Sequence, residues 1–237
     1  RMGEEGLKLL TFWSSPFACR VRLALDLKGL HYDLQEEDLF NAKSALLLES
    51  NPVHKKIPVL IHNGKAICES MNIVEYVDEV WPDRGTGFLL PRDDAFARAT
   101  ARFWADFVDK KFLSLTAASF KAAISSGEEK ERANDEMIQD MVALERFLES
   151  QGGVFFSGSN TSMGFVDIAA SFLPWWLPTY TEIGRLRVPG PDTCPLLHRW
   201  IAAVKDSPEA KAAFPDQQEL LDFTKVRFEE VKKRFAQ

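Results

Sequence analysis

The sequence carries almost no equipment for disulfide, metal or nucleotide chemistry. It has only three cysteines, Cys19, Cys68 and Cys194, widely spaced and without a CxxC. They read as reduced thiols in a cytosolic chain rather than as a disulfide framework. Neither CxxC nor HExxH occurs, so no zinc pattern exists and no metal is expected. GxGxxG and GxxxxGK are absent too, which leaves nucleotide binding unsupported. Four histidines, His31, His54, His62 and His198, are scattered, and nothing in their spacing suggests a hydrolytic triad. Lys and Arg form no tract longer than three, as at 232–234, and the net charge is -6. Nucleic acid is therefore not an expected partner. No apolar run reaches membrane-spanning length and no signal peptide is expected, so membrane association is not expected either.

What is present describes an ordinary folded chain with an unusual wealth of aromatics. At 237 residues, 46% of them hydrophobic, it can bury a substantial core, and two domains are expected. Eighteen phenylalanines and six tryptophans are many; most are read as core, some as the lining of a ligand cavity.

The organising stretch is 55–77, KKIPVLIHNGKAICESMNIVEYV. Val59, Leu60 and Ile61 predict a strand, His62-Asn63-Gly64 a tight turn, and Ala66 to Cys68 the returning strand. Pro58 opens the first strand, where its missing donor is tolerated, and a cis bond before it fits. Ser70 is placed to cap a helix with Ile73, Val74, Val77 and Trp81 on its buried stripe. Glu69-Ser70 then stands where a strand hands over to a helix N-terminus, a place that favours an anion. A plain capped helix explains the same residues, and both readings stay open.

Upstream, Leu7 to Trp13 reads as a strand, Pro16 as the first turn of a helix ended by Gly29, and His31 to Glu36 as a second strand. A short helical turn at Ala45 to Leu48 is broken by Asn51-Pro52. The order β-α-β-α-β-β-α over residues 7–82 predicts an α/β layer with a mixed sheet. Residues 83–91 form the linker, and beyond it strand signals vanish, so 92–237 is expected to be all helical. The expected helices are 92–121, with Phe96, Phe103 and Phe107 in packing positions, 128–150, one buried helix over 165–180, one from Pro195 to Asp206, a short one after Ser207 and a charged one over 217–235. Met137, Met141, Leu144 and Leu148 form the core stripe of the second, and residues 128–136 read as a solvated charge run.

Candidate chemistry gathers in the first domain. Ser15 lies at a strand-to-helix turn without a His-Asp partner, which suits a donor toward an anion better than a nucleophile, although a plain cap explains it as well. Lys43, the Lys55-Lys56 pair and Glu69-Ser70 are each weak signals alone. Together, FWSSPF at 12–17, EDLF at 37–40, NPVHKKIPVL at 51–60, Glu69-Ser70 and RFWADF at 102–107 resemble the tau class of plant glutathione transferases. The resemblance covers nearly the whole chain. It implies a thioredoxin-like N-terminal domain, an all-helical C-terminal domain, a cytosolic homodimer and glutathione as co-substrate. The family serine falls on Ser15, its hydroxyl hydrogen-bonding the glutathione sulfur. The family lysines fall on Lys43 and Lys56, meeting the glycyl carboxylate. Its backbone contact falls on Ile57, and Glu69 with Ser70 holds the γ-glutamyl end. Phe17, Phe107, the alkyl stem of Lys111, Trp176 and Phe214 are the candidates for the apolar electrophile wall. The related cysteine-bearing classes carry a thiol where Ser15 stands, so disulfide exchange is disfavoured here. Gly164 departs from the hydroxyl cap that most relatives carry three residues before Asp167. The implied reaction is conjugation of the thiolate to hydrophobic electrophiles, with hydroperoxide reduction as a variant. A non-catalytic carrier of hydrophobic ligands is the alternative.

Overall fold

The computed structural model describes residues 6–113 and 128–235. Two compact units appear, Arg1–Arg98 with Pro208–Phe214, and Ala99–Ser207 with Pro215–Gln237.

The first unit holds β1 (Leu7–Thr11), α1 (Pro16–Leu27), β2 (Asp33–Glu36), α2 (Ala45–Ser50), β3 (Val59–His62), β4 (Lys65–Cys68) and α3 (Ser70–Val80). The sheet order is β2-β1-β3-β4; β1 and β2 run parallel, and the other two pairings are antiparallel. This is the expected mixed sheet. Successive strand residues point to opposite faces, so LKLLT supplies two cores at once. Leu7 and Leu9 join Val21, Leu25, Leu60, Ile73 and Val77 on one face, while Leu10 joins Leu47 and Val59 on the other. Burying each such side chain contributes about 1.5–3 kcal/mol. The hairpin turn has φ of 48° at Asn63 and 80° at Gly64, the two positive angles that make Asn-Gly the preferred pair there. The Ile57–Pro58 peptide is cis, as the proline at the strand start suggested.

The segment after α3 is tied down by a buried ion pair. Lys28 Nζ lies 2.7 Å from Asp78 Oδ1 and donates to Gly87 O, while the Asp78 carboxylate accepts from the backbone N–H groups of Leu89 and Leu90. Gly85 passes so close to α1 that a Cβ there would meet Leu27 O at 1.9 Å. In the same unit α9 (Pro208–Ala213) packs on α1, where Arg22 Nη2 donates to Ala212 O at 2.8 Å.

The remaining helices are α4 (Ala95–Val108), continued by a π-helical turn over Asp109–Leu113, α5 (Glu128–Gln151), α6 (Phe165–Ala170), α7 (Leu173–Gly184), α8 (Pro195–Asp206) and α10 (Gln217–Phe235). The expected 92–121 helix starts later and changes its winding after Val108; its last residues and the break at 125–127 lie outside the described residues. Phe96 and Phe103, expected to pack, are 81% and 62% exposed. The Met137, Met141, Leu144 and Leu148 stripe is buried as its period required. Within the charge run preceding it, Asn134 is buried, because its Oδ1 accepts from the Arg187 N–H. The single helix expected over 165–180 is two. It breaks at Ser171, and α7 restarts with Pro174 in its first turn, where a proline loses no bond. Much of the aromatic wealth goes into a stack: Trp104 on Phe147 at 4.4 Å, Phe147 on Phe156 at 5.6 Å, and Phe156 against Trp200 at 5.1 Å. Core is thus the right reading for Phe147, Phe156 and Trp200, while Trp104 is half-buried at the end of the stack.

The junction before α6 is held by one carboxylate. Asp167 is fully buried; its Oδ1 accepts from Phe156 N and Trp200 Nε1, its Oδ2 from Gly164 N and Ser157 N. Gly164 has no side chain to complete a capping box, so the acid does the whole task. Burial pushes the Asp167 carboxyl up to about 6 against the pull of those donors. Among the described residues no helix is long and apolar enough to cross a membrane.

Candidate active site

A cavity of about 310 Å³ opens in the first unit, lined by Phe17, Asn51, His54, Lys56, Ile57, Pro58, Glu69 and Ser70. Three pieces of chain meet there: the start of α1, the 51–58 loop and the β4–α3 junction. Five of the expected site residues line it, namely Phe17, Lys56, Ile57, Glu69 and Ser70.

The 51–58 loop is shaped by Asn51, which is buried. Its Oδ1 accepts from His54 N at 3.1 Å, its Nδ2 donates to Lys56 O at 2.9 Å, and its carbonyl accepts from Lys55 N at 2.8 Å. These three bonds hold Lys55 at a φ of 53°, uncommon for a residue with a Cβ, and turn Lys56 to the cavity. Lys43 does not line the cavity; its Nζ donates to Lys55 O at 2.8 Å, bracing the loop from outside. Its own loop is fixed by Glu37, which accepts from Ser44 N and Oγ, and by Asp38. Asn41 and Phe40 donate to Asp38, which holds its carboxyl below the usual range.

At the β4–α3 junction Glu69, not Ser70, occupies the cap position. Its φ is 69° and its side chain makes no capping bond. A left-handed φ at a glutamate is strained, and such strain collects where a side chain must be aimed at a ligand. Ser70 is the first helical residue and buried. Its Oγ accepts from Nη1 of Arg20, which is fully buried in α1, at 3.4 Å. The expected serine cap is therefore corrected: the hydroxyl is directed to a cation beneath the cavity. The same guanidinium sits 5.7 Å from the Phe17 ring centroid.

Ser15 is the N-cap of α1. Its Oγ accepts from Ala18 N at 3.3 Å, so the hydroxyl proton stays available for donation. It is half-buried and is not one of the residues lining the cavity, though Phe17, two positions on, is. Cys19, one turn into α1, is buried with its Sγ 3.6 Å from Trp13 O, and burial pushes its thiol up to about 12. Burial raises Cys68 and Cys194 as well, each with a neighbouring glutamate adding to the shift. Reactive thiolate is not available from these groups near neutrality.

Of the residues expected to meet an electrophile, Phe17 lines the cavity and the other four do not. Phe107 is half-buried on α4, and Lys111 is in the π-helical turn with Nζ 3.5 Å from Asp140 Oδ1. Trp176 in α7 and Phe214 after α9 are buried. Arg20, Asn51 and His54 are not among the expected site residues. Arg20 left a signal: it stands four residues before buried Ala24, on the apolar stripe of α1.

Residues 5–79 match the family model described as "Glutathione S-transferase, N-terminal domain". Over 222 residues, 94% of this chain and 95% of the relative, the sequence is 41% identical to a probable glutathione S-transferase, parA, of Nicotiana tabacum. It is 42% identical to glutathione S-transferase U27 of Arabidopsis thaliana over 93% of each chain. The tau-class enzyme MiGSTU from mango, Mangifera indica, superposes with a TM-score of 0.83 at 38% identity, over 93% of this chain and 97% of that one. The chain belongs to the tau-class glutathione transferases. A second neighbour, rice GST1 (OsGSTU1) solved in complex with glutathione, gives the same TM-score at 37% identity, over 94% and 96% of the two chains. The fold is that of the cytosolic glutathione transferases, with a thioredoxin-like N-terminal domain. Nothing in these relatives supports the carrier alternative.

Proposed function

We propose that this glutathione transferase holds its co-substrate in the first-unit cavity and presents the sulfur to Ser15. The observation that carries the reading is the meeting, in one cavity, of Lys56, Ile57 beside cis Pro58, and Glu69 with Ser70. Glutathione is anionic at both ends and carries an ammonium at its γ-glutamyl end. Lys56 neutralises the glycyl carboxylate, with Lys43 bracing the loop or adding its charge. Ile57 offers backbone bonds to the cysteinyl part. Glu69 pairs the ammonium, while Ser70 and the α3 N-terminus hold the adjacent carboxylate.

Ser15 then acts as a donor, neither nucleophile nor general base. A free thiol has a pKa of roughly 8.5, so little thiolate exists at neutrality. A hydroxyl proton aimed at sulfur from the N-terminus of α1 favours the charged form, and each unit of lowering corresponds to about 1.4 kcal/mol. The thiolate attacks hydrophobic electrophiles, with Phe17 as the apolar group beside it in the cavity; reduction of organic hydroperoxides uses the same sulfur. Residues 7–82 are the glutathione-binding domain, 83–91 the linker and 92–237 the helical domain. The protein works as a cytoplasmic homodimer and needs no metal. Exposed Phe96 and Phe103 are in keeping with a subunit interface.

Purified protein assayed with glutathione against aryl halides, organic hydroperoxides and a mixed disulfide tests the reading. Saturable conjugation with negligible disulfide exchange is expected. Exchange that survives Ser15→Ala and disappears in Cys19→Ser would overturn it.

A further inference from the structure

His54 has no place in the scheme above, yet it lines the same cavity and faces the same acid. Its Nε2 lies 3.9 Å from Glu69 Oε1, beyond hydrogen-bond reach and within ion-pair reach once the imidazole carries a proton. The loop backbone is fixed, while the His54 and Glu69 side chains are both more than half exposed. Asn51, buried under the loop, accepts from His54 N and bonds the two lysine residues that follow. On the other side, the left-handed φ of Glu69 turns its backbone without any capping bond to restrain the carboxylate.

We propose that His54 is a specificity-determining residue of the glutathione site: as imidazolium it competes with the ligand's γ-glutamyl ammonium for the Glu69 carboxylate. The inference rests on the pairing of Glu69 with that ammonium. A second cation beside the carboxylate partly neutralises it and repels the first, so protonating His54 lowers the value of an amino group on the ligand. The site then loses its preference for a free γ-glutamyl amine over a ligand without one.

The other charged groups near His54 do not supply this behaviour. Lys56 in the cavity wall and Lys55 beside it in the loop bring like charge, not a second acceptor for the ammonium. Lys43 is engaged with Lys55 O, and Arg20 lies behind Ser70. Cys68, next to Glu69, has its thiol pushed up by burial and by that carboxylate. His54 is the only histidine among the described residues that line the cavity.

The test compares S-methylglutathione with its analogue lacking only the γ-glutamyl amino group, by calorimetry at about pH 7.5 and about pH 5.5. Both ligands have the same carboxylates and no thiol, so the ratio of their dissociation constants isolates the amine. In the wild type the amine should strengthen binding at the higher pH, and that advantage should fall several-fold at the lower. In His54→Asn the advantage should persist at both, and in His54→Lys it should be small at both. An advantage that is present but independent of pH in the wild type, or equally pH-dependent in His54→Asn, overturns the role of His54 alone. No advantage at either pH overturns the Glu69–ammonium pairing itself.

Discussion

Glu69 and Asp167 each stand at the start of a helix, and they are used in opposite ways. Asp167 is fully buried and accepts four N–H bonds, from Phe156, Ser157, Gly164 and the Trp200 indole. Glu69 is exposed, makes no capping bond and is held at a φ of 69°. One carboxylate is saturated by its own fold. The other is exposed at the wall of a cavity, uncommitted to its own helix, and held in a backbone conformation that costs energy. On the proposed reading this group serves a ligand, which is not part of the chain. This contrast is what separates a structural acid from a binding one at otherwise similar places.

Substitution at the saturated acid should have the largest effect. Asp167→Asn puts an amide NH₂ where two N–H donors point, and leaving buried donors unmatched costs about 1–3 kcal/mol each. A stability loss of about 3 kcal/mol or more is expected by urea unfolding. The same carboxyl gives a pH signature. Burial raises it from 3.8 to about 6 in the folded chain, so the folded state holds the extra proton between those values. Its contribution to stability therefore falls as pH rises through that window and is level above it. Asp167→Asn should remove that slope.

At the under-used acid the pattern reverses. Glu69→Gln should leave the unfolding midpoint nearly unchanged while weakening glutathione by about 1–3 kcal/mol, measured by calorimetry. A large stability loss in this variant would erase the distinction between the two acids. Lys56→Ala should be milder still, raising KM for glutathione by roughly tenfold or less, about 1 kcal/mol, with kcat little changed, the mark of uniform binding.

The sequence reading found the architecture because apolar periodicity reports burial directly: the Ile73, Val74, Val77 stripe and the Met137 to Leu148 stripe both fell where their spacing put them. Local chemistry also showed the Asn63-Gly64 turn and the cis proline. It misassigned Ser70, since a hydroxyl before an apolar stripe reads as a cap, and only the fold brings Arg20 within 3.4 Å from fifty residues away. Asn51 read as a helix breaker because its three bonds into the following loop depend on its being buried. Gly164 and Asp167 show the converse: a weak cap was visible, but not the indole of Trp200 that joins it from α8. Phe96 and Phe103 kept their helical spacing and still face outward.

Ser15 combines both habits, since its oxygen closes α1 by accepting from Ala18 N while its proton remains to be given. The account stands on that proton meeting glutathione's sulfur. Ultraviolet absorbance of bound thiolate, followed against pH in the wild type and in Ser15→Ala, measures it directly. The account predicts a bound thiol titrating at least about one unit below the free value of roughly 8.5 in the wild type, moving back toward it in the variant. Identical titrations in the two proteins would contradict it.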